Sequence, residues 1–272
     1  MTTEATQTDG PALVLADVGL DRDGTTILDG IDWTVGPGER WVVLGPNGSG
    51  KSSIVRIASL YLHPSHGTVD VLGHRLGRVD VRRLRNRIGY ASAALGDAFR
   101  PDLVAADVVM TALNGALEPW WHTYSDADRR RARELLESVG CGHVAERALI
   151  TCSSGERQRV LVARTLMTDP GLVLLDEPTA ALDLGGREEL VATLDDLAAD
   201  PSTPPTVLVT HHLEEIPPSF THALLVRQGK VVAAGSIDEV IVADRLEACF
   251  DMPIEVQRRD GRLWGRAHPT RR

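Results

Sequence analysis

Apolar residues along this chain fall into short dense runs, broken by glycine, proline and acidic turns, with no single repeating period. Residues 13–15 and 31–35 read as strands. Residues 41–44 (WVVL) form an apolar run followed at once by a glycine-rich turn, which suits a buried strand at the centre of a sheet. A helix is predicted from Lys51 to about Leu60, and residues 67–73 (GTVDVLG) read as a short strand between two turn glycines. The middle of the chain, from about Asp102 to Thr168, is helical in character. There Ser125 supplies an N-cap, Asp126 and Asp128 place acids in the first turn of a helix to about Val139, and Gly140 ends it. Apolar strands return at 172–178 (LVLLDEP) and 206–210 (TVLVT), and residues 223–227 and 230–234 flank Gln228-Gly229 as a hairpin. Strand, glycine loop, helix and further strands predict an α/β fold with a mainly parallel sheet, a small antiparallel β portion and a helical insertion.

Composition narrows the partners. The chain is 43% hydrophobic and 25% charged, as in ordinary globular proteins, and its formal net charge is −9. A nucleic-acid partner is not expected, because duplex binding calls for a concentrated basic surface. Cys141, Cys152 and Cys249 are scattered, without metal-ligand spacing, which points to a reducing compartment. The opening residues MTTEATQTDG carry neither a basic segment nor an apolar one, and no run approaches the roughly 18 apolar residues of a spanning helix. The expected location is cytoplasmic, with any service to a membrane given from its surface. Residues 1–11 read as a flexible polar arm, and 246–272 as a basic, mobile extension.

Gly45-Pro46-Asn47-Gly48-Ser49-Gly50-Lys51-Ser52 matches G-x-x-x-x-G-K-[ST] in full, between an apolar strand and a helix. Glycines let the backbone curl so that successive N–H groups point at phosphates, and the helix N-terminus adds roughly half a positive charge. In this pattern the lysine reaches the β- and γ-phosphates of a bound nucleotide and the Ser52 hydroxyl ligates Mg²⁺; Ser53 completes the loop's entry into the helix. Further on, Leu172-Val173-Leu174-Leu175 carries Asp176 and Glu177 to the end of a buried strand. Asp176 suits a contact to Mg²⁺, and Glu177 suits a base that orients or deprotonates an attacking water, a role typically worth ~10²–10⁴ in rate.

Cys152-Ser153-Ser154-Gly155-Glu156-Arg157-Gln158, just before the second motif and followed by a helix, resembles the LSGGQ signature of the ABC (ATP-binding cassette) ATPases. Cys152 stands for Leu, Ser154 for the first Gly and Glu156 for Gln. Ala181-Leu182-Asp183 is similar to the family's D-loop, and His211, first after TVLVT and next to His212, to its switch histidine. The stretch HPSHGTVDVLGHRL is similar to the segment after the Walker A helix. The resemblance covers residues 12–245, with a helical subdomain at about 95–168. It implies a P-loop NTPase core, ATP and Mg²⁺ as cofactors, and a head-to-tail sandwich of two cassettes, as a homodimer or a heterodimer. Ser153 and Gly155 of one cassette would complete the γ-phosphate site of the other, with Asp183 at the seam and His211 steadying Glu177 and the γ-phosphate. The implied function is an ATP-hydrolysing subunit that powers separate membrane permease chains from the cytoplasmic face. The alternative is a soluble ABC-type ATPase acting as an assembly or regulatory module.

The chain departs from the family in two places. After Ile88-Gly89-Tyr90 the family carries a Q-loop glutamine about four residues on; here Ala91-Ser92-Ala93-Ala94 follows, and Ala93, or Ser92 with a one-residue shift, takes the place. The run, with its Ser-x-Gly-Glu signature, resembles a molybdate-type subset, and slower or differently coupled hydrolysis is the expectation. The adenine-stacking aromatic is also missing: Leu20-Asp21-Arg22-Asp23-Gly24 occupies its stretch, where Arg22 either stacks on adenine or is a solvated loop residue. Trp120-Trp121, in a chain only 4% aromatic, suit either a partner contact or core packing.

Overall fold

A computed structural model describes residues 10–119, 122–180 and 182–268; Trp120, Trp121 and Ala181 lie outside them, as do the first nine and last four residues. The chain opens with two long strands, β1 (Leu13–Arg22) and β2 (Thr25–Val35), paired antiparallel. Asp23 and Gly24, both at positive φ (51° and 76°), make the two-residue turn between them. Residues 20–24, the stretch that offers Arg22 as either an adenine-stacking or a loop residue, belong to this hairpin, with Arg22 paired to Thr25 as the last residue of β1. Irregularities in register between Leu15 and Asp21 break the alternation by which a strand is recognised in sequence, so the strand reads as ending early.

β3 (Arg40–Leu44) leads into α1 (Lys51–Ala58), and β4 (His66–Val71) with β5 (His74–Arg75) returns to the first sheet, whose order is β2-β1-β4-β5. A short α2 (Val81–Arg85) precedes β6 (Ile88–Ser92). Four helices follow: α3 (Ala93–Asp97), α4 (Ala105–Met110), α5 (Asp126–Ser138) and α6 (Ser154–Leu166). α5 starts in a full capping box, Ser125 with Asp128, and Gly140 at φ 70° turns the chain after it.

The second half supplies β7 (Leu172–Asp176), α7 (Leu184–Ala199), β8 (Thr206–Val209), β9 (His222–Arg227) and β10 (Lys230–Ser236). With β3 and β6 these form a six-stranded sheet of order β10-β9-β3-β8-β7-β6, parallel except for β10. Every residue of β3, β7 and β8 is buried, as expected for parallel strands covered on both faces. Alternate residues serve two cores. Val42, Leu44, Val173, Leu175 and Leu208 pack with the helical insertion and α7, while Trp41, Val43, Leu172, Leu174, Val207 and Val209 pack with the antiparallel sheet and α1.

The C-terminal segment departs from expectation. Residues 246–272 were expected to be a mobile basic extension. Instead α8 (Ile237–Val240) and α9 (Ala243–Phe250) lead to an antiparallel hairpin of β11 (Ile254–Arg259) and β12 (Arg262–Ala267). Its arginines hide a two-residue alternation in which Ile254, Val256 and Leu263 pack against the core, and Asp260-Gly261, both at positive φ, makes the turn. Among the described residues no helix is long and apolar enough to cross a membrane. All three cysteines are buried and free.

Gly89 lets α6 lie directly on β6: a Cβ there would stand 2.5 Å from the Thr165 carbonyl oxygen. Gly89→Ala is expected to lower stability by about 1–3 kcal/mol through overpacking, read as a lower urea midpoint with an unchanged slope.

Candidate active site

The loop after β3 is shaped by two glycines that have no substitute. Gly45 has φ 156°, and a Cβ on it would lie 2.0 Å from the Val226 carbonyl oxygen. Gly50, the N-cap of α1, has φ 105°, and a Cβ there would be 2.6 Å from Leu28 Cδ2. Asn47 and Gly48 form the exposed tip, Pro46 accepts a backbone bond from Ser49, and the Ser49 carbonyl accepts one from Gly229 in the β9–β10 turn. The Ser49 hydroxyl is buried without a hydrogen-bond partner. Lys51 is 4% exposed. Its Nζ donates to the carbonyl oxygens of Gly45 (2.9 Å) and Pro46 (3.1 Å), and no carboxylate among the described residues pairs with it directly. Burial lowers its pKa, against the opposing pull of Glu177 and Asp176.

Two strand ends meet this loop. Asp176 closes β7 and accepts a hydrogen bond from the Ser52 hydroxyl (3.0 Å); burial raises its pKa and that bond works the other way. Ser53 follows, half-buried, on the first turn of α1. Glu177 takes φ 50°, a left-handed conformation that costs a non-glycine residue roughly 1–3 kcal/mol and tends to persist at functional sites. Beyond β8, His211 brings Nδ1 to 3.4 Å from Glu177 Oε1. That nitrogen is buried and makes no aligned hydrogen bond, so the two side chains meet without a directed bond. His212 is exposed and packs its ring on that of His211, with centroids 4.1 Å apart. The histidine facing the carboxylate is thus His211.

One site residue escaped the sequence, and a second was one of two alternatives that the structure separates. Glu215 is 4% exposed and accepts from the hydroxyls of Thr179 (2.7 Å) and Thr210, joining the segments that carry Glu177 and His211. A buried acid looks no different in sequence from the half-buried Glu214 beside it. Ser92 lies in register opposite Asp176 on the neighbouring strand, buried, and its hydroxyl caps α3. Ala93 begins that helix, so the residue beside Asp176 is the serine.

The signature segment forms a separate cluster. Ser153 is the N-cap of α6: its hydroxyl accepts from Glu156 N (3.2 Å), and Glu156 Oε2 accepts from Ser153 N (2.7 Å). The Ser153 backbone bond is the main reason the Glu156 pKa falls to about 2; His143, at 2.8 Å, and Arg147 help, against burial. A glutamate therefore does here what a glutamine side chain does in a capping box. Gly155 approaches α7, where a Cβ on it would lie 3.4 Å from Gly186 Cα, and Asp183 caps that helix by accepting from Gly186 N (2.8 Å). Among the described residues, Ser153, Gly155 and Asp183 share no hydrogen bond or ion pair with the Lys51–Glu177 cluster of their own chain. Arg22 ends its strand in solvent, its side chain 71% exposed and 3.8 Å from Asp23.

A family model described as ABC transporter matches residues 28–180. The chain belongs to the ABC transporter family. It is 39% identical over 258 residues to the ABC transporter ATP-binding protein YlmA of Bacillus subtilis (strain 168), covering 94% of this chain and 95% of that one. Among solved structures it resembles CbiO1 of Clostridium perfringens, part of the transporter complex CbiONQ, with a TM-score of 0.74 and 25% identity over 88% of this chain and 94% of that one. A dimeric ATP-binding cassette bound to ADP and phosphate has the same fold, with a TM-score of 0.71 and 24% identity over 83% of this chain and 98% of that one. This ABC protein is an ATP-binding, ATP-hydrolysing transporter subunit on a P-loop NTPase core. Its loop suits the triphosphate: a curl that only glycine permits, a buried ammonium without a direct carboxylate partner, and an orphaned hydroxyl at Ser49.

The Glu156 cap has a pH signature. The folded pKa of about 2 lies below the ordinary 4.5, so the stabilisation is fully present above pH 4.5 and disappears as pH falls through about 2. Glu156→Ala is expected to be less stable than the parent by about 1 kcal/mol near neutrality, the usual worth of an N-terminal cap. Denaturation curves at stepped acid pH should show that difference closing as the pH falls.

Proposed function

We propose that two such cassettes close head to tail over ATP and Mg²⁺ and drive separate membrane permease chains from the cytoplasmic face. The observation that carries the hydrolytic part is the meeting of Glu177 and His211 at 3.4 Å, next to Asp176 and Ser52. Glu177 is the base for the attacking water. His211, in contact with its carboxylate, holds it in place and keeps the opposite ring nitrogen for the γ-phosphate. Lys51 exchanges its two carbonyl partners for phosphate oxygens. Ser52 and Asp176 are hard oxygen donors that fit Mg²⁺; no group of three or more His, Cys, Asp or Glu surrounds them among the described residues, so a cation there completes its shell with water and phosphate oxygens. The bound ion would supply charge neutralisation of the leaving phosphate oxygens.

Pairing with a second cassette is supported by the split of the predicted residues into two clusters. The N-terminus of α6, tipped by the Ser153 hydroxyl, lies beside the N-terminus of α7 at Asp183, on a surface that their own loop does not use. A copy rotated to face it brings a γ-phosphate there. Ser92 replaces the Q-loop glutamine as the polar group beside Asp176, with a shorter reach. The alternative of a soluble assembly module has less support, since the relatives named above are transporter ATP-binding proteins.

Glu177→Gln tests the proposal. The expected outcome is turnover lowered ~10²–10⁴-fold, together with an ATP-dependent dimer that persists on size-exclusion chromatography with light scattering. Normal turnover would remove Glu177 as the base, and a monomer at saturating ATP would remove the sandwich.

A further inference from the structure

The C-terminal hairpin rests on the loop that presents His211. Leu263 of β12 is 5% exposed and belongs to the same core cluster as Leu213, Ile216 and Phe220. Gly265 lies so close that a Cβ there would stand 2.7 Å from Leu213 Cδ1. Beside them Arg262 spans two elements. Its Nη1 donates to Glu188 Oε2 on α7 (2.9 Å), and its Nη2 donates to the Glu214 backbone carbonyl and reaches Glu188 Oε1 (3.5 Å). Arg187 also stands 3.7 Å from the Glu188 carboxylate.

The segment so held is weak by itself. Residues 213–215 form a single 3-10 turn, closed by long bonds from Glu215 N to His212 O (3.4 Å) and from Ile216 N to Leu213 O (3.2 Å). On its inner side Glu215 ties it to Thr179 and Thr210. On its outer side Arg262 bonds to the Glu214 carbonyl, while Thr210 accepts from His212 N at the start of the loop, and the Arg262 guanidinium is also anchored on Glu188 of α7. A planar fork suits this task, because one rigid group fixes two acceptors relative to each other.

We propose that Arg262 is a positioning residue for hydrolysis. By joining the Glu214 carbonyl to the Glu188 carboxylate, it sets the His211 loop against α7 and so keeps His211 at Glu177. The proposal rests on the reading of Glu177 and His211 as the hydrolytic pair. It makes the hairpin a brace on the catalytic loop, so that displacing β11–β12 slows turnover without touching the nucleotide.

The test uses the full chain with Arg262→Ala, Arg262→Lys and, as a parallel control, His211→Ala. Arg262→Ala is expected to lower kcat roughly ten- to a hundredfold with KM for ATP nearly unchanged, the mark of a misplaced reacting group. Amide hydrogen exchange of the nucleotide-free protein should quicken across residues 211–216 and stay at the parent rate in β3 and β7. Arg262→Lys, which reaches one acceptor at a time, should recover part of both. Should Arg262→Ala not fold, Glu188→Gln, which weakens the anchor and leaves the Glu214 contact, takes its place with the same readouts. Parent exchange rates across 211–216 overturn the brace whatever the turnover. Faster exchange with parent kcat overturns its role in hydrolysis, and exchange quickened throughout the chain without recovery in the lysine variant reduces Arg262 to a stability residue. Parent turnover in His211→Ala would instead sink the underlying site reading, leaving the exchange data to decide the brace by themselves.

Discussion

Lys51 carries an ammonium into a place from which water is nearly excluded, and two carbonyl oxygens of its own loop are its hydrogen-bond partners. Burial works against that charge, and the carboxylates of Glu177 and Asp176 stand near enough to favour it without pairing with it. Everything else at the site is arranged about this unbalanced cation. The loop can curl round it only because positions 45 and 50 carry no Cβ. The β9–β10 turn and β2 close on the outside of the curl through Gly229, which binds Ser49 on one side and Asp29 on the other. A triphosphate satisfies the ammonium, the loop N–H groups and the free Ser49 hydroxyl together, which is why this constellation selects a polyanion.

The parallel sheet brings the groups proposed to act on that polyanion to the same loop. β3 lies between β9 and β8, and β7 lies between β8 and β6, so the loop after β3, the carboxylates after β7 and the histidine after β8 emerge at one edge. Parallel pairing makes this unavoidable, because all these strands end on the same side. The chemistry is then refined by contacts between the emerging segments. Glu215 bridges from inside and Arg262 braces from outside, so the spacing of Glu177 and His211 depends on side chains that never approach phosphate.

The signature cluster follows a different logic. Its serine, its glycine and the Asp183 cap gather where two helix N-termini abut at Gly155 and Gly186, each capped from within the chain, one by Ser153 with Glu156 and the other by Asp183. Where the family has a glutamine, Glu156 puts a carboxylate in the first turn, held by Ser153 N, His143 and Arg147, so the N-terminus of α6 is capped by its own third residue.

The phosphate loop and the two carboxylates were legible from residue order, because their chemistry depends on neighbours a few positions apart and on one apolar strand. So was the cap at Ser125, which is local by construction. Contacts set by the meeting of distant segments were not legible. A bulged β1 loses its alternation and reads as a loop; Ser92 reaches Asp176 only through the register of β6 on β7. Glu215 is told from Glu214 only by which of them turns inward, and the arginine-rich tail reveals its hairpin only when Leu263 finds Leu213. Sequence by itself determined the anion cradle, since backbone freedom at glycine and the charge of lysine are properties of single residues. The tertiary structure alone decided that Glu215 turns inward, that Ser92 and not Ala93 stands beside Asp176, and that Arg262 reaches the loop after β8, because burial and register exist only once remote strands have paired.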